Sequence, residues 1–221
     1  DNDGADEIVV LSASTMLLFD ANTFVAEQSI AEGSNSMALG HFTSTQKIQI
    51  ALNKGLVIEL NGTEQSVIWN YTTLGFSNNL IRAGNLDNDG LDEIAGADSW
   101  YQLRVFNADT HGLLWQANSS HDIDALQIAD TDNDGAAEVL YGDGQWGGLH
   151  ALGGATGTLL WTAANSGSGV TDLLVQNLDD DASLELLWGA GHSSTGPDYL
   201  FIQDITTNTP EWRSGETGGP Y

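Results

Sequence analysis

The residues in this chain best suited to chemistry are carboxylates set at alternate positions in short loops. One loop offers side-chain oxygens at Asn85, Asp87, Asp89 and Glu93, with the backbone carbonyl of Leu91 at the seventh position. A second offers Asp130, Asp132, Asp134 and Glu138 with the Ala136 carbonyl, and a third Asn177, Asp179, Asp181 and Glu185 with Ser183. A fourth, at residue 1, keeps Asp1, Asp3, Ala5 and Glu7 but lacks the first position. Carboxylates this close repel one another unless a cation sits among them. Oxygen ligands drawn from one continuous loop suit a hard ion such as calcium and leave little reason for an open coordination position. The expectation is about three or four Ca2+ ions with a structural role, each tying the end of one strand to the start of the next. An EF-hand places its bidentate Glu at position twelve, between helices. Here the Glu stands at position nine and opens a β-rich segment, as in Glu7-Ile8-Val9-Val10.

Gly90 and Gly135 supply the sharp turn inside two of these loops. Ala182 takes that place in the third, where a positive φ would cost more, so this site is expected to be the weakest of the complete ones. The segment Gly40-His41-Phe42-Thr43-Ser44-Thr45-Gln46-Lys47-Ile48 occupies the equivalent place in another unit and has no carboxylate. It reads as two residues shorter, with Lys47 where the last Glu would stand, so an ammonium replaces the ion.

The elements that hold these loops repeat. Aligned on the loop centre, the copies start at Asp1, Thr43, Asp87, Asp132 and Asp179, a period of about 45 residues. Trp69, Trp115, Trp161 and Trp212 keep the same register, each after a tight turn, with Gln28 in the matching place of the first copy. Trp115 and Trp161 are expected in the core. Hydrophobic periodicity is two nearly everywhere, as in Gln102-Leu103-Arg104-Val105-Phe106, which reads as strands. One unit reads as strands near 80–84, 93–96, 103–106 and 113–116. The expected fold is all-β, a propeller of four-stranded antiparallel blades, in one domain with repeats near 1–35, 36–77, 78–120, 121–168 and 169–221. The first unit lacks its own first strand, so the blades form a small five-bladed ring or part of a larger one. Residue 1 already lies inside a loop, and the sequence is expected to be a processed or truncated piece.

The 221 residues carry a net charge of -26, from 31 acids against 5 Lys plus Arg. Four bound divalent ions would leave about -18, which still disfavours nucleic acid and anionic membranes as partners. Cysteine is absent, which excludes disulfide scaffolds and thiolate metal centres. No apolar run approaches the roughly 18 residues of a membrane span. No nucleophile elbow, His-Glu-x-x-His or phosphate loop is present. Asp122 and Asp124 read as a solvated pair, and the five His residues show no ligand spacing.

The acidic loop, the strand before it and the Asp-Glu-Ile that follows resemble the FG-GAP and VCBS-type repeats of integrin-like propellers. The segment Leu149-His150-Ala151-Leu152-Gly153-Gly154-Ala155-Thr156-Gly157-Thr158-Leu159-Leu160-Trp161 is similar to quinoprotein repeats, which implies blade geometry only. The first resemblance implies a calcium-binding module that is extracellular, on the cell surface or periplasmic. Its expected work is recognition or adhesion toward a carbohydrate or protein ligand. Similar loops in rhamnogalacturonan lyases keep open a polysaccharide-degrading scaffold, and a purely structural spacer is the third reading. In a meander the calcium loops gather on one face of the disc. Trp100, Tyr101, Trp146 and His192 fall on the other, where they are the candidate ligand-binding residues.

Overall fold

The computed structural model describes residues 6–44, 46–62, 64–71, 79–98, 101–179, 181–191 and 198–216. Every element in them is a strand or a turn. Short apolar segments cut by Gly, Asn and Asp turns are too brief for helices and must pair to satisfy their backbone.

The first sheet has three strands, β1 (Glu7–Leu11), β2 (Met16–Asp20) and β3 (Ala26–Ile30). The second has four, β4 (Met37–Gly40), β5 (Gln49–Leu52), β6 (Leu56–Asn61) and β7 (Glu64–Asn70). The third comprises β8 (Leu80–Gly84), β9 (Glu93–Ala97), β10 (Gln102–Asn107) and β11 (Gly112–Asn118). The fourth comprises β12 (Ile123–Ala129), β13 (Glu138–Asp143), β14 (Leu149–Leu152) and β15 (Leu159–Ala163). The fifth comprises β16 (Val170–Gln176), β17 (Glu185–Ala190), β18 (Tyr199–Asp204) and β19 (Thr209–Arg213). Each sheet is an antiparallel meander in chain order. The fold is a β-propeller, as the sequence predicts, and the first blade has three strands.

The first strands β4, β8, β12 and β16 neighbour one another in chain order and form the inner side. Four apolar clusters fill the gaps between successive sheets. Met16, Leu18 and Ile30 meet Ile50, Leu52 and Ile58 between the first and second sheets. Phe42, Val57 and Tyr71 meet Ile81, Ile94 and Phe106 between the second and third. Val105 and Leu103 meet Leu126, Val139 and Tyr141, and Leu140 and Ala151 meet Val170, Leu186 and Trp188. Side chains alternate across a strand, so Val139 and Tyr141 face one gap and Leu140 the other. That is why β9 and β13 are buried along their whole length while the outermost β19 is exposed throughout.

Three of the recurring tryptophans, Trp69, Trp115 and Trp161, pack against the core, as expected of the last two, and two of them also link neighbouring sheets. Trp115 and Trp161 are only partly buried. The Trp115 indole donates to the Gly154 carbonyl, 2.6 Å away in the β14–β15 turn of the next sheet. Trp69, which is buried, stacks on His111 of the β10–β11 turn with ring centroids 4.8 Å apart. Each ties its sheet to the following one at the outer rim. Trp212, in the last sheet, is half exposed.

Candidate metal centres

The acidic loops join the first strand of a sheet to its second, and each ends on a buried side chain that opens the second strand. Glu93, Glu138 and Glu185 are 0%, 5% and 0% exposed. Each turns one carboxylate oxygen back into its own loop. Glu93 Oε2 accepts the Leu86 N–H at 3.0 Å, Glu138 Oε2 accepts that of Thr131 at 2.8 Å, and Glu185 Oε2 accepts that of Leu178. The loop then folds over the carboxylate. Asn88 and Asn133 stand at φ 63° and 59°, and Gly90 and Gly135 at 95° and 94°. Those left-handed turns suit Asn and Gly. Ala182 is outside the left-handed region, so the third loop avoids the expected cost by a different path at that position.

This folding gathers the acids. Oxygens of Asp87, Asp89 and Glu93 lie within 4.8 Å of one another, as do those of Asp130, Asp132 and Glu138 and those of Asp179, Asp181 and Glu185. Burial pushes Glu93 up to about 7, and the Asp87 and Asp89 charges add to this against hydrogen bonds from Leu86 and Ala108. Burial likewise raises Glu138. In all three loops the carboxylate at the fifth position is occupied by the backbone, since Asp89 accepts the Leu91 N–H and Asp134 that of Ala136, both at 2.8 Å, and Asp181 that of Ser183 at 2.7 Å. Among the described residues, three buried oxygens have no hydrogen-bond partner: Asn85 Oδ1, Asp87 Oδ1 and Glu185 Oε1. Such orphans are rare and costly in folded proteins. These clusters of acidic residues could hold metal ions. Glu7 opens β1, while Asp1, Asp3 and Ala5 lie outside the described residues.

The second sheet corrects the reading of its loop. Gln49, not Lys47, opens β5 and pairs with Gly40 as Glu93 pairs with Gly84. The loop is therefore the same length as the acidic ones. Gln49 is fully buried and its Oε1 accepts the N–H groups of Phe42 and Thr43, both at 3.0 Å. Its amide donates to Thr43 Oγ1 and to Glu59 Oε2. Lys47 Nζ reaches Glu59 at 2.8 Å and Asn61 at 2.9 Å. Hydrogen bonds from Lys47 first, then Gln49 and Asn61, hold Glu59 down to about 2. The ammonium is there, but it serves an acid on β6.

Sequence reading missed two groups. Asp204 and Glu211 join Glu185, with oxygens within 4.8 Å of one another. They lie on β18 and β19, and only strand pairing brings them together. On the opposite face, Asp143 collects His150 at 2.9 Å, His121 at 3.6 Å and the Ser119 hydroxyl at 2.9 Å. Burial would raise Asp143, but the bonds from His150 and Ser119 win and hold it low. His121 Nδ1 also faces Ser120 Oγ at 3.0 Å. One nitrogen facing both Ser120 and Asp143 is not the relay of a hydrolytic triad, which uses two. The histidines scattered in sequence thus converge in part. Near them Trp146 is 63% exposed, and Tyr101 on the same face is 42% exposed. Trp100 and His192 lie outside the described residues.

No protein-family model matches the chain, and no curated protein matches it. Solved structures do. The chain is similar to BBS1N, solved in complex with ARL6DN and soaked with lead, at TM-score 0.69 and 12% identity, covering 97% of this chain and 65% of that one. It is similar to the Dos1 propeller at TM-score 0.60 and 9% identity, over 97% and 68% of the two chains. The biofilm matrix protein Bap1 of V. cholerae matches at TM-score 0.60 and 17% identity, over 100% and 38%. The chain thus spans about two thirds or less of the length of these neighbours. At these identities the likeness is one of fold, and that fold is the β-propeller.

Proposed function

We propose that this propeller is a calcium-stabilised recognition domain that works outside the cytoplasm, at a cell surface, in the periplasm or in the extracellular medium. The observation that carries the calcium reading is the pair of orphaned buried oxygens in the loop of the third sheet, Asn85 Oδ1 and Asp87 Oδ1. They stand at the first and third positions of that acidic loop, where a bound ion would use them. The donor set is oxygen alone and the ligands are flexible carboxylates, amides and carbonyls, which suits calcium over zinc or copper. Extracellular calcium modules fill at about 10⁻⁴ to 10⁻³ M, levels that cytosol does not supply.

By analogy of fold, we assign the propeller an interaction or scaffold role. The face away from the loops would carry recognition, with Tyr101 and Trp146 exposed beside His121 and Asp143 as a surface for a carbohydrate or a protein. This favours recognition over a spacer or a degradative scaffold. Thermal unfolding in EDTA and in about 1–2 mM calcium, with stoichiometry by calorimetric titration, tests the ions. A calcium-dependent rise with at least three ions bound is expected, and no shift with no binding would sink the reading. Glycan-array binding lost in Trp146→Ala tests the face.

A further inference from the structure

The fifth sheet holds more acid than one loop accounts for. Glu185 is the shared vertex of two groups, Asp179 with Asp181 on the loop side and Asp204 with Glu211 on the side of β18 and β19. Asp204 is 4% exposed and pairs across the ladder with Glu185. Glu211 is the extra residue of a bulge, since Ile202 pairs with Trp212 and Gln203 with Pro210. A bulge re-aims a side chain, and here it places the Glu211 carboxylate with those of Asp204 and Glu185.

The same register position in other sheets shows what Asp204 lacks. In the third sheet it is Asn107, next to Phe106, which pairs with Ile94, at the end of β10; its amide donates to Asp87 Oδ2 at 3.0 Å. In the second sheet it is Glu59, neutralised by the Lys47 ammonium and the Gln49 amide. Asp204 can donate nothing, and besides the Ser183 hydroxyl, which hydrogen-bonds to it, the groups it meets on this side are two more carboxylates. One of its oxygens accepts from Thr207 N–H and hydroxyl, which anchors the turn without cancelling charge from Glu185 and Glu211. Glu185 Oε1 is buried and has no hydrogen-bond partner. That unpartnered oxygen, on a side chain 0% exposed, is the independent sign that a ligand belongs here.

We infer that the fifth sheet binds a second divalent cation, held by Glu185, Asp204 and Glu211, with Glu185 bridging it to the loop ion. The inference rests on the loop reading only for the identity of that neighbour. One divalent ion among five carboxylates leaves three negative charges uncompensated, and two leave one. Glu211 is exposed and lines an open depression of about 450 Å³ with Gln203, Pro210, Trp212 and Arg213, so solvent reaches its side of the group. The first sheet carries Glu7, Asp20 and Glu27 at matching positions, but among the described residues their oxygens are not gathered, and the inference is confined to the fifth sheet.

Calcium titration of the full chain, by calorimetry and native mass spectrometry, decides it. Glu211 is exposed and Asp204→Asn copies the Asn107 arrangement, so both variants keep the fold. Glu211→Gln and Asp204→Asn are each expected to bind one ion fewer than the unaltered protein, and Asp132→Asn, in another loop, to lose a different one. Combining Glu211→Gln with Asp132→Asn removes two. An unchanged count in Glu211→Gln, with or without weaker affinity, would overturn the second ion, because Glu211 would then be at most a further ligand of the loop ion. If Asp132→Asn also changes nothing, the loop reading has failed as well.

Discussion

The second and third sheets bury a side chain of nearly the same shape at the same register, Gln49 in one and Glu93 in the other. Both fold their loop back by accepting a backbone N–H seven residues earlier, at 3.0 Å in each. They part over charge. The second sheet keeps the buried group neutral and meets its one nearby acid, Glu59, with Lys47. The third collects Asp87, Asp89 and Glu93 and leaves buried oxygens unpaired. The lesson is that the blade needs a pinned loop rather than an ion as such. A neutral hydrogen-bond network pins it unconditionally, whereas under the proposed calcium reading the gathered carboxylates need a cation to offset their repulsion, and stability would then depend on the surroundings.

The largest test of that contrast is metal removal. At about a hundredfold excess over its dissociation constant each filled site adds about 2.7 kcal/mol. In a chain of this size 1 kcal/mol shifts the melting temperature by about 2–4 °C. Three sites therefore predict a fall of about 15–30 °C in EDTA. Hydrogen exchange should show the backbone of the acidic loops in the third, fourth and fifth sheets opening first, while the Phe42 and Thr43 amides keep their protection. Equal loss in the second sheet would break the comparison.

Exchanging the two side chains comes next. Glu93→Gln should cost about 2–3 kcal/mol in saturating calcium through loss of an ion, yet be neutral or stabilising by about 1 kcal/mol in EDTA. Gln49→Glu should destabilise by about 1–3 kcal/mol in either condition, because it buries a charge beside Glu59 and calcium finds no ligand set there. Chemical denaturation in both buffers reads the signs.

The pH response separates the sheets further. Glu93 in the metal-free protein titrates near 7 against an ordinary 4.5, so the folded state holds its proton more tightly than the unfolded chain. Stability from this group is present below 4.5 and is lost as pH rises toward 7, by on the order of 1–3 kcal/mol. Glu59 is the reverse: depressed to about 2, it contributes above 4.5 and fails as pH falls through 2. Metal-free protein should lose stability between pH 5 and 7, and calcium or Glu93→Gln should flatten that slope. The smallest effect belongs to Lys47→Met. The pair is partly exposed, so about 0.5–1 kcal/mol is expected, independent of calcium.

The sequence by itself determined the repeat, the strand-turn rhythm, the all-β propeller and the acidic loops, because each is local. A loop carries its potential ligands within a few residues of one another, and alternation of apolar residues reports a strand without knowledge of its neighbour. The tertiary structure decided whatever depends on register between strands. Gln49 became the counterpart of Glu93 only through its pairing with Gly40, since nothing in a carboxylate-free loop marks the alignment and Lys47 drew the eye instead. Asp204 and Glu211 met Glu185, and His121 and His150 met Asp143, because sheets bring distant segments together at ladder spacing. Trp69 and Trp115 became ties between blades for the same reason: their partners, His111 and Gly154, belong to the next sheet, and packing between sheets is set by the whole propeller rather than by any one repeat.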